Sequence, residues 1–181
     1  GRIAANAEEV LGDVVQWAPV SPVVRAQLAG LENGLALFAQ DWTSILDAER
    51  FRVERSGFLG ERCVIGRHSR PDPMKWPATR AEVLEAYPDD PRFAVEILGG
   101  GPFLAELMGH AIPANWRVRP FTADAAPSFL ARLDIFVYFH HPRWVEAFGR
   151  SVMEALAAGC VAILPESFRS QFGEAALYAA R

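Results

Sequence analysis

Two stretches of this chain concentrate the residue types that handle anions and hydroxyl groups. The first is Gly66-Arg67-His68-Ser69-Arg70-Pro71-Asp72-Pro73-Met74-Lys75-Trp76-Pro77. It gathers Arg67, Arg70 and Lys75 around one acid, in a chain that is acidic as a whole (22 Asp and Glu against 18 Lys and Arg). Its prolines stiffen it, so its cations are held with little entropy left to lose. Lys75 is the single lysine among the 18 bases, which suggests a position where a compact ammonium is wanted. Such a loop suits a di-anion, most naturally a diphosphate. A solvated, Pro-rich surface loop is the competing reading.

The second stretch is Glu146-Ala147-Phe148-Gly149-Arg150-Ser151-Val152-Met153-Glu154-Ala155. Phe148, Val152, Leu156 and Gly159 recur at helical spacing and predict an amphipathic helix with Glu146 in the loop before it. On a helical wheel Glu154 points away from that stripe, beside the small residues Ser151 and Ala158, which leave room for a ligand. The first N–H groups of such a helix favour an anion, and a carboxylate can accept hydrogen bonds from two vicinal hydroxyls, as acids do when they grip a ribose. A solvent-facing glutamate on an ordinary helix is the alternative.

Both stretches need a scaffold. Apolar runs over 63–66, 93–98, 117–121, 134–139 and 161–164 read as buried strands, and 176–179 as the start of a sixth. Helix signals lie between them: a capping box at Thr79 and Glu82, Pro102 ahead of Leu104, Leu107 and Met108, and Pro127 ahead of Phe129, Leu130 and Leu133. The alternation predicts an α/β fold, a Rossmann-like doubly wound parallel sheet over 61–181, with ligands at the carboxyl ends of its strands. Gly99-Gly100-Gly101 falls at one such end as a tight turn that lets a ligand approach the backbone, without the dinucleotide fingerprint. His140 and His141 fall at another; adjacent residues of an extended chain point in opposite directions, so a loop role is preferred and no metal site is expected.

The first sixty residues carry no motif. A helix over 6–15 on Val10, Val14 and Val15, a turning or extended 17–22, a short strand over 34–38, and a cap at Asp41 or Thr43 are the readings there. Residues 1–60 are expected to be a linker or the remnant of a preceding domain. With 51% apolar residues and a net charge of −4, the composition excludes a disordered chain. Cys63 and Cys160 read as small buried hydrophobes rather than a disulfide framework. With no apolar run long enough to span a bilayer and no signal-peptide pattern, a soluble, cytoplasmic protein is expected.

The run from Glu146 to Ala162, with Glu146 and Glu154 eight positions apart, resembles the E-x₇-E motif of retaining GT-B glycosyltransferases of the family-four type (glycosyl transferases group 1). Val64-Ile65-Gly66-Arg67 followed by Lys75 resembles that family's Arg/Lys pair, with His68 and Arg70 as rival cations. The resemblance implies one half of a GT-B fold, the C-terminal, donor-binding domain, over residues 61–181. It implies that Arg67 and Lys75 hold the donor diphosphate and stabilise the leaving nucleoside diphosphate without a metal, and that Glu154 accepts from the ribose hydroxyls. Glu146 would contact the donor sugar, while Gly66, Phe148, Gly149 and Ser151 line the donor site. The expected donor is a nucleotide-diphosphate sugar, with no further cofactor. The acceptor, a sugar or other hydroxylated molecule, would sit on an N-terminal domain absent from this chain, so the chain alone is expected to bind donor but hardly transfer sugar. No nucleic-acid partner is expected. The rival expectations are a non-catalytic nucleotide-diphosphate module, a GT-B-like sugar-nucleotide epimerase, and a purely structural α/β domain.

Overall fold

A computed structural model describes residues 2–12, 15–30 and 35–180. The chain divides into two units: Gly1–Ile45 together with Glu146–Phe148, and Leu46–Val145 together with Gly149–Arg181.

The first unit holds α1 (Arg2–Leu11) and α2 (Pro22–Ala29). α1 begins and ends earlier than the valine pattern predicts, because Gly12 turns left-handed at φ 67 and its N–H closes on the Glu8 carbonyl; residues 13 and 14 lie outside the described residues. α2 was not legible as a helix, since two prolines flank its start. Pro22 in fact occupies the first turn, where a missing N–H costs nothing, and the Ser21 hydroxyl accepts from Val24 N at 3.3 Å as the cap. The strand expected over 34–38 reduces, among the described residues, to an isolated bridge between Trp17 and Leu37. Asp41 caps no helix: Arg25 donates to its carboxylate at 2.7 Å and to the Phe38 carbonyl at 2.9 Å. Thr43 lies in irregular chain as well.

The second unit is the predicted parallel sheet. Its strands are β1 (Cys63–His68), β2 (Phe93–Leu98), β3 (Trp116–Arg119), β4 (Ile135–Val137), β5 (Val161–Pro165) and β6 (Leu177–Ala179). They lie in the order β3-β2-β1-β4-β5-β6, and every pairing is parallel. The helices between them are α3 (Arg80–Ala86), α4 (Gly101–Leu107), α5 (Ala126–Leu130), α6 (Arg150–Ala157) and the short α7 (Arg169–Phe172). The capping box of α3 is complete, with Thr79 and Glu82 each accepting from the other's amide.

Strand alternation sends side chains into two cores. One holds Phe129, Leu130, Leu133, Phe136, Val152, Ala155, Ala158 and Leu164. The other holds Ile65, Trp76, Val83, Tyr87, Val95, Ile97 and Leu104. Buried Asp134, at the mouth of β4, accepts from Leu59 N and Val64 N, both at 2.8 Å. That fixes where β1 enters the sheet.

The stretch 46–60, expected to be linker, joins this unit. Phe51 is buried in the first of the two cores. Arg55 donates to the carbonyls of Ala158, Leu133 and Leu130 at 2.7, 2.5 and 2.9 Å, which ties residues 46–60 to the chain at and beyond the C-terminal ends of α5 and α6. The division therefore falls between residues 45 and 46 rather than at 60.

Candidate functional site

The strand order reverses between β1 and β4, and in open α/β sheets the crevice beyond the carboxyl ends of the strands at that point is where ligands bind. The cationic loop leaves β1 there. Gly66 is required inside β1: a Cβ would lie well inside contact distance of the Glu96 carbonyl oxygen and 2.7 Å from Leu133 Cδ2. It is therefore a packing glycine of the strand and not, on this geometry, part of an open rim.

Alternation separates the next two residues. Arg67, expected to hold a donor diphosphate together with Lys75, faces the core that holds Ile65. The side chain is fully buried. It donates to the Phe139 carbonyl at 2.9 Å and to the Lys75 carbonyl at 2.6 Å. Its guanidinium lies 4.3 Å from the Trp76 ring and 4.6 Å from the Tyr138 ring. Two rings and two carbonyls engage the buried cation, while its Nε, also buried, has no hydrogen-bond partner among the described residues; the two donated bonds tie the loop to the chain just past β4. Lys75 ends a 3₁₀ turn, Pro73–Lys75, capped by the Asp72 carboxylate on Met74 N at 2.9 Å. It is half-buried, with Nζ 5.7 Å from the Trp144 ring centre. Arg70 is exposed.

His68 faces the opposite side, against Phe129 and Phe136. Its Nε2 lies 3.2 Å from Glu154 Oε2, close in distance but off the line of a well-aligned hydrogen bond. Burial, with Arg67 and Lys75 nearby, pushes its pKa down to about 4, against a hydrogen bond with the Ser151 backbone. The ring is therefore uncharged near neutral pH. Glu154 is 9% exposed, a correction to the solvent-facing alternative. Its second oxygen, Oε1, accepts from Arg150 Nε at 3.1 Å. Burial raises its pKa, and Arg150 opposes that.

α6 begins at Gly149, left-handed at φ 74, with no side chain capping its first turn. A Cβ there would press on Phe168 and Phe172 at 3.2 Å. The buried face of α6 is Val152, Glu154 and Ala155, and Ala158 just beyond it is fully buried. Ala158 therefore packs in the core instead of leaving room, whereas Ser151 is half-buried. Phe148 precedes the helix, and with Glu146 it groups with the first unit; both are half-buried. The two glutamates of the motif thus belong to different units.

The loop after β4 clasps the loop after β1, with His141 N donating to the Met74 carbonyl at 3.1 Å. His140 packs between Tyr138 and Phe168, and its Nδ1 lies 2.9 Å from the His141 carbonyl. Among the described residues no group of His, Cys, Asp and Glu is arranged to hold a metal. Residue types alone did not reveal His68 as the neighbour of Glu154. The signal was the period of two in β1, which puts Val64, Gly66 and His68 on one face.

No family model matches the sequence, and no curated protein matches it. Solved structures do match the fold. Anabaena HepE, in complex with UDP and glucose, superposes with a TM-score of 0.68 at 17% identity, over 99% of this chain and 52% of that one. The pneumococcal O-GlcNAc transferase GtfA, in complex with UDP and GlcNAc, gives 0.60 at 14% identity, over 90% of this chain and 33% of that one. The C-terminal domain of a glycosyl transferase group 1 family protein (LpcC) from Francisella tularensis gives 0.50 at 18% identity, over 75% of this chain and 80% of that domain. The chain has the fold of the C-terminal domain of a GT-B glycosyltransferase. It spans between a third and about half of the length of HepE and GtfA.

Proposed function

We propose that this chain is the donor-binding part of a glycosyltransferase and holds a nucleotide-diphosphate sugar at the crevice between β1 and β4. The observation that carries the reading is the buried Glu154 carboxylate, held beside His68 at the end of β1, on the strand that releases the cationic loop. Glu154 would accept from the ribose hydroxyls. Arg70 and Lys75 are the cations of that loop with access to a diphosphate, and Arg67 supports them from beneath through the Lys75 carbonyl. As the bond to the sugar breaks, negative charge grows on the departing diphosphate, and fixed cations beside the N-terminus of α6 stabilise it there. These cations would do the work of a metal. The resemblance implies retention at the reacting carbon, contact of Glu146 with the donor sugar, and an acceptor bound by a domain outside this chain. HepE and GtfA, solved with UDP, make UDP the first nucleotide to try.

Titration calorimetry with UDP, GDP and ADP tests the reading. One nucleotide is expected to bind wild type, and saturation at 100 times its Kd should stabilise the fold by about 2.7 kcal/mol. Glu154→Ala, and the double variant Arg70→Ala with Lys75→Ala, should each weaken binding by on the order of tenfold or more. Binding of none of the three, or binding indifferent to Glu154→Ala, would overturn it.

A further inference from the structure

Lys75 is the single lysine of the chain, and hydrogen bonds fix the backbone around it on three sides. Its N–H donates to the Asp72 carbonyl at 3.0 Å within the 3₁₀ turn. Its own carbonyl accepts from Arg67 at 2.6 Å, and the carbonyl of Met74 just before it accepts from His141 N at 3.1 Å. Such a backbone leaves open only the side chain, a flexible four-carbon stem with much rotamer entropy to lose. That stem is restrained as well. Nζ lies over the ring of Trp144, 5.7 Å from its centroid, within reach of a cation–π contact. Trp144 is half-buried and is placed by the same clasp, since its N–H donates to the His141 carbonyl at 2.9 Å. His141 Nδ1 in turn accepts from Arg143 N at 3.1 Å. One histidine of the loop after β4 therefore bonds both the turn that carries the ammonium and the residue that carries the ring.

We infer that Trp144 is a positioning residue for diphosphate recognition: its ring restrains the Lys75 ammonium so that the amine is already placed when the donor arrives. The inference rests on the donor-site reading above, in which Lys75 meets the diphosphate. Chemistry suits the role. An indole face attracts a cation through its quadrupole but carries no net charge, so it restrains the ammonium without cancelling the charge that a diphosphate needs. An ammonium has three N–H donors, and a ring takes up only one side of it. A carboxylate in the place of the ring would hold the amine more tightly but compete with the diphosphate. Rotamer freedom lost before binding is not lost again on binding, and that difference appears as affinity.

Because the chain has one lysine, isotope-labelled lysine gives a single set of side-chain signals, and the ring current of Trp144 displaces them upfield. Trp144→Leu should move the ε-methylene signal back toward its position in free lysine, and Trp144→Phe, which keeps an aromatic face, should move it less. Calorimetry with UDP, or with GDP or ADP if that base binds, reads the consequence in wild type, Trp144→Leu, Trp144→Phe, Lys75→Met and the double variant Trp144→Leu with Lys75→Met. Lys75→Met should weaken binding by on the order of tenfold. Trp144→Leu should weaken it by about two- to fivefold, and Trp144→Phe by less. In the Lys75→Met background, Trp144→Leu should leave Kd unchanged, because the group that the ring positions is gone. Should Trp144→Leu not fold, Trp144→Met takes its place, since methionine fills an irregular gap without an aromatic face. An unmoved lysine signal in Trp144→Leu, an unchanged Kd in that variant, or a loss of affinity that persists in full without the lysine shows that the ring only packs, and overturns the inference while the donor site stands. If wild type binds no nucleotide, or Lys75→Met binds as wild type does, the reading that puts Lys75 at the diphosphate fails and takes the inference with it.

Discussion

Arg67 and His68 are neighbours in sequence with opposite fates. The strand turns one toward a Trp–Tyr clamp and the other toward a carboxylate. The residue types made the loop legible as an anion cradle, but they could not rank its cations. Arg67 is held by Trp76, nine positions on, and by Tyr138 just past β4, and such partners leave no local trace. His68 makes stability depend on pH. An ordinary histidine takes up its proton near 6.5, whereas this one resists until about 4. Between those values the unfolded chain binds the proton and the folded chain refuses it, so stability falls on acidification, by up to about 3 kcal/mol. Glu154 acts with the opposite sign, since its raised pKa means that protonation at low pH relieves a cost of burial. Urea unfolding of wild type and His68→Gln at pH 7 and pH 4.5 separates the histidine from the carboxylates. The advantage of wild type should shrink toward the lower pH; a constant difference would show that His68 protonates normally in the fold.

At the scale of elements, the local signals read well where they are self-contained. β2 falls where its apolar run does, and the α3 capping box forms as its Thr-x-x-Glu spacing requires. They read poorly where a partner decides. The run 134–139 contracts to Ile135–Val137, with the Asp134 side chain engaged by Leu59 and Val64 at its entry. The buried face of α6 is Val152, Glu154 and Ala155 rather than the predicted stripe, since Phe148 precedes the helix. Gly149 sets the start of α6. An alanine there would hold a left-handed backbone, costing about 1–2 kcal/mol, with its methyl group against Phe168 and Phe172. Gly149→Ala should lower the unfolding free energy by about 2–3 kcal/mol in denaturant titration, and should weaken nucleotide binding as the first turn of α6 shifts.

For the whole molecule, the parallel sheet was legible because period and length distinguish its strands from its helices. The division of the chain was not. Residues 46–60 look like linker in composition, yet they bury Phe51 and send Arg55 to three carbonyls more than seventy positions away. Arg55→Ala should cost about 1–3 kcal/mol, since it removes three hydrogen bonds and the Ala158 carbonyl loses its Arg55 donor. A fragment 46–181 should unfold cooperatively, and 61–181 at a clearly lower midpoint; equal midpoints would return residues 46–60 to the status of linker.

The central claim is that one end of this sheet holds a nucleoside diphosphate between the loop after β1 and the first turn of α6. Mapping backbone amide shifts of the isotope-labelled chain during a UDP titration tests it most directly. Saturable shifts concentrated at 66–76, 99–101 and 149–154, and lost in Glu154→Ala, are the predicted result. Shifts centred elsewhere on the sheet, or none up to millimolar UDP, GDP and ADP, would contradict it.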